Sequence, residues 1–396
     1  MRLLNESWTS LAVACVILGA SFVGRRDLRR AISLVALGAL LVAMLRMPLH
    51  VPIPEGDYRN FVQDRDSFKN YMVEGVNFQY HLSSQLVRAF DAALGSTDKS
   101  PVSAFHWLSR LIALVFVAGL VCLGFLERWS ERVIRYLALA VAVPTTALLY
   151  GYHEFGHLPI ALEATAIPLG LIALERQRWW LLALSGTLLG LGAALHGFGL
   201  IGLAFMLLVA IVYVIRDERI ATTAGLLHVG NAAVYGLAGW LVWVPFYPII
   251  LHSDLVAGHA DEFPLRPLFH PEPYPDYHRI AQPVFSSAGL TDIGYEFWIV
   301  GVIVLVLLMF VTPGLRTPVA LAAIPVVLFV AVFWPVQGLG EDTDFLASAF
   351  PPLFAVAWLV APSRRLTVLA LGLLAAGDWA LHHVLSPDFI DEGGEI

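Results

Sequence analysis

Long apolar runs recur along this chain, broken by short polar connections. They cover residues 8–23, 31–47, 106–126, 133–151, 158–174, 179–196, 199–215, 226–251, 297–311, 318–336, 345–360 and 366–385. A helix needs roughly 20 mostly apolar residues to cross a bilayer, so the pattern predicts about twelve transmembrane helices. Two polar stretches interrupt it, at 49–104 and 252–292. Inside the first, Tyr71, Phe78, Leu82, Leu86, Phe90 and Leu94 recur at helical spacing over residues 68–94, predicting an amphipathic helix along the membrane surface. Pro144, Pro168, Pro325, Gly190 and Gly192 fall inside runs, and membrane spans tolerate both residue types. The expected fold is all-α: one polytopic transmembrane domain over 1–396, with 49–104 and 252–292 as its long outer loops.

Composition agrees. The chain is 58% hydrophobic and 14% charged, with a mean hydropathy of +0.73, whereas soluble domains carry roughly 25% charged residues. This points to an integral membrane protein, and no nucleic-acid partner is expected. The net charge of -7 says little, because orientation depends on which loops hold Arg and Lys. Cys15 and Cys122 each sit in an apolar run and read as small core hydrophobes, not as a disulfide or a metal pair. The first run has no basic region before it and no small-residue cleavage site after it, so it reads as a membrane helix and not a removed signal peptide.

Charge sorts the connections. GRRDLRR, ERWSERVIR, ERQR, RDER, GLRTP and SRR occupy every second loop, which the positive-inside rule assigns to the cytoplasm. Both termini, the 49–104 loop, GYHEFGH, HGFG, 252–292 and EDTD then share the outer face. His50, His81, His106, His153, His157, His196, His252, His259, His270 and His278 fall on or near that face. The most charged stretch is also there, VPIPEGDYRNFVQDRDSFKN, with Glu55, Asp57, Asp64 and Asp66 beside Arg59, Arg65 and Lys69. Asp57 is the first catalytic candidate, and His81, His153 and Glu154 join it because each stands at a helix end where loops converge.

His153-Glu154-Phe155-Gly156-His157 matches HExxH, which on a helix aims two imidazoles at zinc with the Glu as general base. It also resembles the site of intramembrane metalloproteases of the site-2 family. Pro159, two residues later, would interrupt a helix carrying both histidines but suits the first turn of one beginning near His157. HEFGH is therefore expected as an outer turn.

A wider resemblance spans about residues 31–362. A membrane helix leads to an outer loop with an acidic residue (GDYRNF), then FQYHLSSQLVRAFDAALG and a run beginning HWLSRLIALVF. Further on come VPTTALLYGYHEFGHLPIALEATAIPLGLIALERQRWW and DFLASAFPPLFAVAWLVA. This order is similar to GT-C glycosyltransferases, although here an extra helix precedes the acidic loop. The resemblance implies a polytopic enzyme taking sugar from a polyprenyl-phosphate donor at the outer face, with a lipid or glycan acceptor and membrane lipids around it. Asp57 would be the base for the acceptor hydroxyl. Departing phosphate needs cations or a divalent metal, for which Arg59, Arg88, Arg266 and Arg279 are candidates. His153 and Glu154 would orient acceptor or metal, with His81, His157 and His196 as further substrate contacts. Two other classes stand beside it: the HExxH metalloprotease, and a transporter or structural subunit, for which Glu163, His228 and Asp378 are the intramembrane ionisable candidates.

Overall fold

The structure is a computed structural model, and it describes residues 2–46, 81–97, 100–142, 157–195, 199–216, 230–231, 234, 312 and 350–380. The described residues form helices and turns, with no strand among them. The helices are α1 Arg2–Ala20, α2 Arg26–Arg46, α3 His81–Ala93, α4 Ser100–Leu126, α5 Glu131–Ala142, α6 His157–Arg176, α7 Trp179–Leu195, α8 Gly199–Arg216, α9 Phe350–Val360 and α10 Arg364–Ala380. Three contain stretches long and apolar enough to cross a membrane: Arg26–Arg46, Pro101–Leu126 and Leu158–Arg176. These make the chain an integral membrane protein.

Local chemistry sets the helix ends. Ser130 and Ser363 cap α5 and α10, their hydroxyls accepting from the backbone N–H of Val133 and Leu366 at 3.3 Å. α3, α4 and α6 each close with a six-to-one backbone bond: Ser96 to Asp91 O, Trp129 to Gly124 O and Arg178 to Ala173 O. The left-handed residues are Gly95 and Ser96 (φ 52°) in the first, Arg128 (φ 50°) and Trp129 (φ 53°) in the second and Gln177 (φ 53°) in the third. Each of the four that are not glycine costs roughly 1–2 kcal/mol against a right-handed residue. In the second motif the Trp129 ring folds back over Gly124, where a Cβ would lie 2.6 Å from it.

α6 is the hub. It packs against α4, α7, α8 and α9, and 89% of its spanning window is buried, so it touches protein on all sides. Around it, α2 and α3 lie on α4, α1 lies on α2 and α5, and α10 on α5 and α9. Glycine permits the close crossings, as expected where packing and not water drives helix association. A Cβ on Gly119 of α4 would lie 2.0 Å from Thr165 Oγ1 of α6, and one on Gly199 would lie 2.2 Å from the Gly192 backbone.

Pro168 sits inside α6 and cannot donate to the carbonyl four residues earlier, that of Ala164. The fully buried Tyr136 of α5 supplies the missing donor, its hydroxyl reaching Ala164 O at 2.5 Å. One residue pair further on, Ser185 of α7 donates to Ala166 O at 2.6 Å. The bend-prone centre of the hub helix is thus tied to two neighbours.

One expectation needs correction. Cys15 and Cys122 are exposed on the bundle surface; an apolar run gives no sign of whether a position faces protein or lipid. In α3, Leu86 and Phe90 of the expected stripe pack against the core. Ser83, Val87 and Asp91 are the buried positions, Leu86 and Phe90 are half-buried, and Leu94 is exposed. Ser83 donates to Leu195 O of α7 at 2.7 Å, a partner invisible to periodicity. The rest of the 68–94 segment lies outside the described residues.

Candidate functional site at the end opposite the arginines

The two ends of the bundle differ in chemistry. At one, the connections α1–α2, α4–α5, α6–α7 and α9–α10 meet through ion pairs. Glu131 binds Arg364 at 2.7 Å, Arg135 at 3.1 Å and Arg29 at 3.5 Å. Arg132 makes a two-pronged pair with Glu175 at 2.6 and 2.7 Å, and Arg176 binds Glu127 at 2.5 Å. The Arg364 and Arg135 guanidiniums hold the Glu131 carboxyl below the usual carboxylate range. Arg135 is itself buried, donating to Ala361 O at 2.6 Å and Pro362 O at 3.2 Å. It satisfies carbonyls at the C-terminal end of α9, where positive charge is favoured. Arg132 stacks over Trp358 at 4.3 Å. Four of the six basic connections therefore share one end, as the alternation of charge predicts.

At the other end, α3, α6, α7 and α8 converge. Ser83 bonds the last residue of α7, Pro159 in the first turn of α6 packs against Gly192 of α7, and Gly199 opens α8 against Gly192 and Ala193. His81 is the first residue of α3 and His157 the first of α6. The backbone positions of these two sequence candidates thus lie at the same end, away from the arginine network. Arg88 is on the same short helix, with an exposed side chain. Asp57, Arg59, His153, Glu154, His196, Arg266 and Arg279 lie outside the described residues, as do most of the 49–104 loop and all of 252–292. Among the described residues no three His, Cys, Asp or Glu side chains group closely enough to hold a metal.

Beneath that end is Glu163 of α6. Its side chain is 1% exposed and takes a backbone hydrogen bond from Gly202 in the first turn of α8. Its Oε1 has no hydrogen-bond partner among the described residues. A Cβ on Gly202 would come within 2.6 Å of that oxygen, and Leu189 of α7 borders the same space. Glycine at 202 is what lets a carboxyl lie flat against α8. The sequence marked Glu163 only as an ionisable residue inside a run; neither its junction nor the carbonyl partners of Tyr136 and Arg135 carried a sequence signal, since those carbonyls are 28 and 226 residues away.

Among the described residues, fold and site together define a helical membrane protein with an arginine-laced end and an opposite end where His81 and His157 begin their helices. Neither a protein-family model nor a curated protein matches this chain.

Proposed function

We propose that this protein is a membrane glycosyltransferase of the GT-C type, with about twelve crossings, that moves a sugar from a polyprenyl-phosphate donor to a lipid or glycan acceptor at the outer face. The observation that carries the reading is the segregation of the bundle: arginine connections at one end, and helix starts bearing His81 and His157 at the other. With the arginine end in the cytoplasm, the histidine end faces outward, where the Asp57 loop belongs on the sequence alternation. Asp57 takes the proton of the acceptor hydroxyl as it attacks the anomeric carbon. Arginines of the outer loops, Arg59, Arg88, Arg266 and Arg279, offset the charge growing on the departing phosphate. His153 and Glu154 orient the acceptor, or a divalent metal if one is used. The lipid tail runs in a groove between helices.

The test is transfer from a polyprenyl-phosphate sugar in nanodiscs. Asp57→Asn keeps the size of the side chain but removes its basicity, so turnover falls by on the order of 10² to 10⁴ while the folded protein persists. Asp64→Asn and Asp66→Asn fall far less. Retained transfer in Asp57→Asn together with loss in Glu154→Gln would move the base to the HEFGH turn.

A second reading, ion-coupled transport, rests on Glu163, since buried intramembrane carboxyls mark proton and ion paths. It predicts proton-driven uptake into liposomes that Glu163→Gln abolishes. A glycosyltransferase gives no such uptake, and Glu163→Gln there keeps most of its turnover.

A further inference from the structure

The arginine end carries more charge than its ion pairs use. Its four described connections hold eleven arginines (Arg25, Arg26, Arg29, Arg30, Arg128, Arg132, Arg135, Arg176, Arg178, Arg364 and Arg365) against four carboxylates (Asp27, Glu127, Glu131 and Glu175). Arg365 makes no ion pair with another described residue. It lines a groove of about 480 Å³ together with Phe22, Arg364, Val368 and Leu369.

The groove has two kinds of wall. Phe22 is 55% exposed, Val368 48% and Leu369 39%, and they form an apolar face between the α1–α2 connection and the first turns of α10. Arg364 and Arg365 stand at the head of that face. The Arg364 guanidinium lies 5.5 Å from the Phe22 ring centroid and is held by Glu131, so its position is set before any ligand arrives. Such a surface, apolar over nearly all of its lining with two exposed arginines beside it at the start of α10, is complementary to one class of molecule. That class has an anionic phosphate head and acyl chains beside it.

We propose that this groove binds an anionic phospholipid of the leaflet at the arginine end, its phosphate between Arg365 and Arg364 and an acyl chain along Val368, Leu369 and Phe22. Basic pockets between membrane helices on the cytoplasmic side suit such headgroups. The inference rests on the membrane placement of the helices and not on the glycosyltransferase reading, and the site is at the end remote from the proposed chemistry. Arg365 is the ligand's ion partner; Arg364 is shared between ligand and Glu131.

The experiment is native mass spectrometry of the full chain released from nanodiscs of phosphatidylglycerol and phosphatidylcholine in equal amounts. The wild type retains phosphatidylglycerol in preference. Arg365→Gln lowers that retention about five-fold, the effect of one arginine at an anionic surface. Val368→Trp fills the groove and lowers it as well, without touching the charge. Arg178→Gln, an exposed arginine outside the groove, leaves retention unchanged. Equal retention of the two lipids by the wild type, or an equal loss in Arg178→Gln and Arg365→Gln, overturns the site in favour of diffuse surface charge. Displacement of phosphatidylglycerol by an equal concentration of inorganic phosphate or glycerol phosphate overturns the lipid as occupant.

Discussion

Tyr136→Phe isolates one hydrogen bond at the centre of the bundle. Tyr136 is fully buried, and its ring packs edge-on against Trp358 at 5.3 Å, a contact the Phe ring keeps. Only the hydroxyl is lost. That hydroxyl serves the Ala164 carbonyl, which Pro168 cannot reach as a donor. Leaving a buried carbonyl unpaired costs about 1–3 kcal/mol, while single side-chain hydrogen bonds in membrane helices average about 0.6 and reach about 1.7 kcal/mol. The two ranges overlap at about 1–1.7 kcal/mol, the expected loss. The decisive comparison is with Pro168→Ala, which restores a backbone N–H to the Ala164 carbonyl. In that background Tyr136→Phe costs about 0.5 kcal/mol or less, because the carbonyl has another donor. The assay is reversible unfolding of the four proteins of the cycle in mixed micelles. An equal cost of Tyr136→Phe with and without Pro168 would refute the account, since the hydroxyl would then not be replacing the bond that proline removes.

Further predictions concern the crossings and the arginine end. Gly199→Ala meets the Gly192 backbone and Gly119→Ala meets only the Thr165 side chain, so melting in detergent should drop more for Gly199→Ala, by about 1–3 kcal/mol or above. Thr165→Ala should recover most of the Gly119→Ala loss but none of that at Gly199. Glu131 has its carboxyl pKa held down by Arg364 and Arg135. Its stabilising contribution is therefore full above the ordinary carboxylate range and is lost as pH falls through the lowered value. Its side chain is 38% exposed, and such exposed pairs are worth roughly 0–1 kcal/mol. Glu131→Gln should accordingly melt slightly lower than the wild type at neutral pH, and the gap should close in acid.

Much of the described fold was legible from local pattern. The runs at 179–196 and 199–215 became Trp179–Leu195 and Gly199–Arg216, because long apolar runs bounded by Arg, His and Gly specify a helix whatever it packs against. The gathering of GRRDLRR, ERWSERVIR, ERQR and SRR at one end was legible for the same reason: strict alternation of helices leaves every second connection on one side. What the helices do to one another was not legible. Hydrocarbon is as apolar as leucine, so the run that became the hub α6, buried on all sides, reads like α4, which exposes Leu114, Phe125 and Cys122. The buried Ser83 finds its acceptor in a carbonyl 112 residues away, and the buried Arg135 in one 226 residues away. Glu163 lies against Gly202 because a missing Cβ on another helix leaves room for it. For the candidate site, the sequence supplied residue types, of which His81 and His157 begin helices at one end of the described bundle. The convergence of α3, α6, α7 and α8 at one end came from tertiary contacts alone, since hydropathy carries no information about which helix ends meet.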